Sequence, residues 1–229
     1  MYTHENFHPD NKNHLLNIGV IPDGARRWAR KQSISIEKSY DISMEKIYSL
    51  LNHLLRTKKF ASASIYFSSA ENFKRSSEEI EAFCQAENKF FLDLLPRLIE
   101  RYDAGFNFAG NLDLLPLYLR NTVLKLCELT KESASTMLYF CLAYNPIEEL
   151  RVAFHRSMEI AEFPSNLQVP VPLDLVIRTG GANLLSNFLP IQSGYARLYT
   201  TDELFNDLSI NEIDVIIEKY SLTQLKYGE

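Results

Sequence analysis

Short apolar runs that end in glycine or serine turns alternate along the chain with longer stretches whose apolar residues recur at helical spacing. Residues 17–21 (Asn-Ile-Gly-Val-Ile) are such a run, closed by Pro22-Asp23-Gly24, a strong turn signal. Residues 61–67 read as a second strand ending in Ser68-Ser69, and between the two Met44, Ile47, Leu51, Leu54 and Leu55 keep the helix period. Ser76 and Glu79 form a capping-box pattern before a helix whose broad apolar face carries Phe83, Phe90, Phe91, Leu95 and Ile99. Pro96 is expected to kink or interrupt that helix, because it lacks the amide hydrogen and crowds the preceding turn.

The alternation continues to the end of the chain. Residues 106–109 predict a strand, 114–129 a helix, and 137–142 a buried strand. Pro146 opens a helix that runs through Met158 and Ile160, and Pro164, Pro170 and Pro172 mark a surface connection. Strands at 173–177 and 196–200 and a closing helix at 210–220 complete the pattern. Such alternation predicts an α/β fold, a single domain with a mostly parallel central sheet surrounded by helices. The polar residues 1–13 read as a flexible tail and 14–229 as the domain.

Composition narrows the class. The 229 residues are 46% hydrophobic and 23% charged, enough apolar surface for a core without staples. A net charge of −5 argues against a general nucleic-acid or anionic-membrane surface, while leaving room for a local anion pocket. Cys84, Cys127 and Cys141 are odd in number and widely spaced, which fits neither a disulfide framework nor a zinc site. With no apolar run of membrane-spanning length and no signal-peptide core, a cytoplasmic protein is expected.

In an open parallel sheet, ligands collect at the carboxyl ends of the strands, and two strand ends carry unusual loops. The first is Pro22-Asp23-Gly24-Ala25-Arg26-Arg27-Trp28. Here an Asp can hold a divalent cation, a glycine lets backbone approach a ligand, and an arginine can fork onto phosphate oxygens. The second is Arg178-Thr179-Gly180-Gly181, followed by Ser186-Asn187-Phe188, where amides, hydroxyl and guanidinium suit a diphosphate. Taken singly, the first loop reads more readily as a plain turn before a solvated basic helix face, and the second is a weak signal that a chain-turning glycine pair also explains. The isolated His14, His53 and His155 suggest no metal site. Glu148 and Glu149, just after Pro146, read as acids at a helix N-terminus, and the Phe83, Phe90, Phe91 stripe reads as core.

Four blocks in order carry a resemblance across residues 17–228. They are Asp23-Gly24-Ala25-Arg26-Arg27-Trp28, Ser69-Ala70-Glu71-Asn72-Phe73-Lys74-Arg75, Asp174-Leu175-Val176-Ile177-Arg178-Thr179-Gly180-Gly181 and Ser186-Asn187-Phe188-Leu189. The chain resembles the cis-prenyltransferases, the undecaprenyl diphosphate synthase family. The resemblance implies a homodimer, a hydrophobic tunnel for a prenyl chain, and two adjacent diphosphate sites. It implies Asp23 as the Mg²⁺ ligand and a catalytic residue, with Ser69 and Asn72 assisting transfer. Gly24, Arg26, Arg27, Trp28, Tyr40 and Arg75 would frame the first diphosphate. Arg178, Gly180, Gly181, Ser186 and Arg197 would bind substrate on the other side.

Several positions depart from the family pattern. Ala25 and Arg26 stand for Asn and Gly, Ile36 for an arginine, and Tyr40 for a histidine. Leu184 stands for a second-site arginine, Ala182 and Asn183 for Glu and His, and Arg197 for the glutamate that helps bind magnesium. The C-terminal Arg-x-Gly appears as Lys226-Tyr227-Gly228. The Pro-Asp-Gly-x-Arg-Arg-Trp start, Tyr40 and Pro190 are similar to the lavandulyl and cyclolavandulyl diphosphate synthases, which join two dimethylallyl units head-to-middle. Three readings follow: such a short-chain condensation, regular short-chain cis synthesis with isopentenyl diphosphate, or a non-catalytic subunit that binds prenyl diphosphate or a partner.

Overall fold

A computed structural model of the chain describes residues 15–129 and 134–222. The expected N-terminal tail, His14 and the Lys226-Tyr227-Gly228 segment lie outside them. Six strands form one sheet in the order β3-β4-β2-β1-β5-β6. They are β1 (Leu16–Ile21), β2 (Phe60–Tyr66), β3 (Ala104–Gly110), β4 (Thr136–Leu142), β5 (Leu175–Arg178) and β6 (Arg197–Thr200). Every neighbouring pair is parallel. The order reverses at β1, whose neighbours β2 and β5 diverge there, and such a switch point opens a crevice beyond the strand ends.

Seven helices are described: α1 (Ala25–Gln32), α2 (Ile36–Thr57), α3 (Ser77–Lys89), α4 (Leu95–Tyr102), α5 (Leu117–Leu129), α6 (Pro146–Arg156) and α7 (Ile210–Ser221). Alternation along the strands divides the apolar residues between two faces. Ile18, Val20, Ala63 and Ile65 join Leu51, Leu54, Phe83, Phe90 and Ile213 in the larger core. Ile21, Tyr66, Cys141 and Val176 face a second core with Tyr144, Val169, Leu173 and Phe188. Gly19 has no side chain because a Cβ there would stand 2.7 Å from the Phe188 ring and 2.9 Å from Leu173.

The second core is closed in large part by irregular chain between residues 167 and 189, and Glu149 holds that chain down. Its carboxylate is buried and accepts from the Val169 amide at 3.2 Å, from Gln192 Nε2 at 3.1 Å and from the Tyr144 hydroxyl. The expected cap role falls to Asn145, whose side chain accepts from the amides of Ile147 and Glu148.

The interruption expected at Pro96 is present: a π-helical turn at Phe90–Leu94 separates α3 from α4, and Pro96 sits in the first turn of α4, where it cannot donate to the preceding turn. Three other expectations are corrected. A short turn at Leu112–Leu114 delays α5 until after Pro116. The α6 helix ends at Arg156, leaving Met158 and Ile160 exposed. Ser76 accepts from the Glu79 amide at 3.3 Å, but the Glu79 carboxylate turns away from the cap toward Tyr40 and Arg75.

Candidate active site

Three strand ends beside the switch point supply the site: Asp23 after β1, Ser68 and Ser69 after β2, and Arg178 at the end of β5. They border a cavity of about 440 Å³. Asp23, Gly24, Arg26, Arg27, Tyr40, Ser69, Asn72, Arg75, Arg178 and Ser186 all line it, joined by Arg30, Tyr66, Phe67 and Ser68. The turn that presents Asp23 depends on Gly24, whose φ of +124° strains any residue with a side chain.

Two guanidiniums hold Asp23. Arg178 Nη2 lies 2.9 Å from Oδ2, and Arg27 Nη2 lies 3.2 Å from Oδ1. Arg178 is only 6% exposed, and its Nη1 donates to Ser186 Oγ at 2.6 Å and to the Leu184 carbonyl at 2.7 Å. Ser186, Asn187 and Leu189 all have positive φ. Such strained non-glycine backbone is favoured only where the surroundings over-determine it, and here Arg178 and Tyr66 both grip Ser186. The Tyr66 hydroxyl donates to the Ser186 carbonyl at 3.2 Å. Burial, above all, raises that hydroxyl well above the ordinary tyrosine range.

The opposite wall is built by α1, α2 and the start of α3. Arg75 Nη1 donates to Glu79 at 2.8 Å, the Tyr40 hydroxyl donates to the same oxygen at 3.1 Å, and Arg26 Nε lies 3.7 Å away. Burial and the Glu79 charge push the Tyr40 hydroxyl up, so Tyr40 stays a neutral donor. Asn72 Oδ1 accepts from the Ser69 amide at 3.0 Å, which fixes both residues on one short turn. Phe67 forms part of the floor and stacks on Phe140 at 5.1 Å, with Phe90 and Phe91 edge-on at 5.3 and 5.5 Å. The phenylalanine stripe is therefore core, as its spacing suggests, and Phe90 and Phe91 back the Phe67 ring that lines the cavity.

Four of the candidate residues are not brought to this cavity. Trp28 turns its Nε1 to Asp207 at 2.7 Å, tying α1 to the loop before α7. The amides of Gly180 and Gly181 donate to the carbonyls of Glu203 and Thr201, at 2.7 and 2.8 Å, so they are not free for phosphate oxygens. Gly180 serves Arg27 instead. Its carbonyl accepts from Arg27 Nη1 at 2.8 Å, and a side chain in its place would collide with that guanidinium. Arg197 opens β6 opposite Leu175, while Thr200 pairs with Arg178. At the usual strand rise Arg197 lies roughly 10 Å back from the strand ends.

Sequence reasoning passed over several residues of the site. Arg30 follows Arg26 by four residues, which places both on one face of α1. Glu79 also follows Arg75 by four, but Arg75 is extended ahead of α3, so that pairing is made by the turn at Arg75 and Ser76. Nothing local marks Glu87. It is 1% exposed on α3 beneath Ser68, its Oε2 has no hydrogen-bond partner, and burial pushes its carboxyl up to about 8 despite contact with the Ser68 hydroxyl.

The donor set does not suit a divalent cation as it stands. Among the described residues no group of three or more His, Cys, Asp or Glu side chains is placed to hold a metal, and Asp23 is the one carboxylate lining the cavity. Mg²⁺ is content with one or two carboxylates plus substrate phosphates, but here both carboxylate oxygens already face a guanidinium.

A family model described as putative undecaprenyl diphosphate synthase matches residues 21–228. An isoprenyl transferase of Campylobacter jejuni (strain RM1221) is 26% identical over 223 residues, covering 95% of this chain and 100% of the relative. A tritrans,polycis-undecaprenyl-diphosphate synthase (geranylgeranyl-diphosphate specific) of Pyrobaculum aerophilum is 29% identical, covering 92% and 94%. The crystal structure of lavandulyl diphosphate synthase from Lavandula x intermedia, in complex with dimethylallyl diphosphate, superposes with a TM-score of 0.87 over 96% of this chain and 100% of that one. At 21% identity that likeness establishes the fold alone.

Proposed function

The chain belongs to the undecaprenyl diphosphate synthase family of prenyltransferases, and we propose that it condenses short prenyl diphosphates, two dimethylallyl units joined head-to-middle into a branched C10 diphosphate. The observation that carries this reading is the cavity itself: arginines, Asp23, Ser69 and Asn72 converge above a floor of stacked aromatic rings. Its volume, about 440 Å³, lies toward the small end of ligand sites, roughly 300–1,000 Å³. A long polyprenyl product would need space where Phe67, Phe90, Phe91 and Phe140 pack.

The chemistry suits these groups. The allylic C–O bond breaks and the diphosphate leaves with the electron pair. The double bond of the second unit then supplies the electrons of the new C–C bond, and the resulting cation loses a proton. Arginines near the departing oxygens stabilise charge as it develops, and the apolar floor keeps water from the cation. Asn72 and Ser69, fixed on one turn, are placed to assist the transfer.

The protein incubated with dimethylallyl diphosphate alone is expected to give a C10 diphosphate by mass spectrometry. Product only when isopentenyl diphosphate is added would favour regular cis condensation. Absence of product with any pairing, longer allylic donors included, would reject the enzyme reading. The non-catalytic reading has one observation in its favour: the Arg178 guanidinium and the Gly180 and Gly181 amides are already engaged inside the protein. The proposal includes a cytoplasmic homodimer, which light scattering and cell fractionation would check. No described helix is long and apolar enough to cross a membrane.

A further inference from the structure

Five guanidiniums, those of Arg26, Arg27, Arg30, Arg75 and Arg178, line the cavity with the single carboxylate of Asp23. Glu79 is the second acid in contact with them, through Arg75 and Arg26. Their balance leaves about three positive charges around the cavity, or about two when Glu78 in the adjoining groove is counted. A prenyl diphosphate carries roughly three negative charges near neutral pH, by the same titration that gives a phosphate monoester nearly two. The site's own guanidiniums therefore neutralise most or all of the charge on one diphosphate.

A divalent cation fits this balance poorly. On Asp23 it would have to displace Arg27 from Oδ1 or Arg178 from Oδ2, and it would raise an already cationic site by two more charges. The arginine missing at Ile36 has a substitute close by. Arg26 and Arg30 border a neighbouring groove together with Ile36, Ser76, Glu78 and Glu79, so α1 supplies two guanidiniums to the same wall, beside two carboxylates. Guanidiniums can clamp phosphate oxygens bidentately and stabilise charge on a leaving group.

We propose that in this chain arginines, rather than a divalent cation, neutralise the allylic diphosphate, so that the diphosphate binds without Mg²⁺. The inference rests on the prenyl diphosphate reading above. Isothermal titration with inorganic diphosphate and with the unreactive thiolo analogue of dimethylallyl diphosphate tests it, in buffer with EDTA and in buffer with Mg²⁺. The dissociation constants in the two buffers are expected to agree within about threefold. A loss of about tenfold or more in EDTA overturns the inference and leaves the prenyl diphosphate reading standing. Failure to bind in either buffer rejects that reading, and the inference with it.

A second measurement uses Arg26→Gln with Arg30→Gln, two exposed positions on α1 whose replacement is expected to leave the fold intact, which circular dichroism checks. Binding in EDTA is expected to weaken by about tenfold or more, with Mg²⁺ restoring part of it. Wild-type affinity of the double variant in EDTA would overturn the inference.

Discussion

The two loops that resemble phosphate binders in sequence end in opposite states in the fold. On the α1 side, Arg26 is 56% exposed and Arg27 46%, with Arg75 and Glu79 paired at the cavity edge. On the β5 side, the Arg178 side chain is 7% exposed and bound to Asp23, Ser186 and the Leu184 carbonyl. The Gly180 and Gly181 amides there are held by the chain at residues 201–203. An exposed guanidinium can exchange its partner for a ligand at little cost, whereas a buried one must first lose contacts that stabilise the fold. The α1 wall is thus poised to receive an anion, and the β5 wall chiefly braces Asp23.

Substitutions should separate the two walls. Arg178→Met removes a buried charge whose partners stay behind. It is expected to destabilise by about 2–3 kcal/mol, less than the full cost of breaking a buried pair because Asp23 reaches water. Denaturant unfolding measures it, and a change as small as an exposed arginine gives would erase the contrast. Asp23→Asn keeps the shape but weakens the hold on both Arg27 and Arg178. Turnover is expected to fall by about 10²–10³, read as kcat/KM for dimethylallyl diphosphate; unchanged turnover would place the chemistry elsewhere.

Smaller effects sharpen the same contrast. Gly180→Ala forces a side chain to a φ of +83° and against Arg27, for a cost of about 1–3 kcal/mol, again read by denaturant unfolding. Glu87 provides a control beneath the cavity. Its carboxyl titrates near 4.5 when unfolded and about 8 when folded, so between those values the folded state keeps a proton that the unfolded state releases. Stability should therefore fall as pH rises through that window, by up to about 1.4 kcal/mol per unit. Glu87→Gln is expected to flatten the slope; an unaltered slope would assign it to another group. Last, Arg26→Gln should change stability by no more than about 0.5 kcal/mol while weakening diphosphate binding.

Much of this was legible in residue order. The short apolar runs located the six strands to within a few residues, because burial on a two-sided parallel sheet leaves near-continuous apolar strands. The helical-period stretches located most of the helices; the short, arginine-rich α1 and the start of α2 gave no such signal. Boundaries failed where a proline competed with the pattern, at Pro116, and where exposed Met158 and Ile160 extended an apolar stripe past the end of α6. Asp23, Asn72, Arg75 and Ser186 were legible as a group only through the order of four blocks, since their spacing alone also fits plain turns.

Local side-chain chemistry and turn signals by themselves determined the alternation of elements, the glycine turn that presents Asp23, and the set of groups available to a diphosphate. Which of those groups remain free was decided by contacts between residues far apart in the chain. Asp23 meets Arg178 across a separation of 155 residues, and Trp28 meets Asp207 across 179. The β5–β6 register alone places Arg197 away from the strand ends. A hydrogen-bonding group shows its chemistry in the sequence, but its partner is chosen by how sheet register and loop packing bring distant segments together.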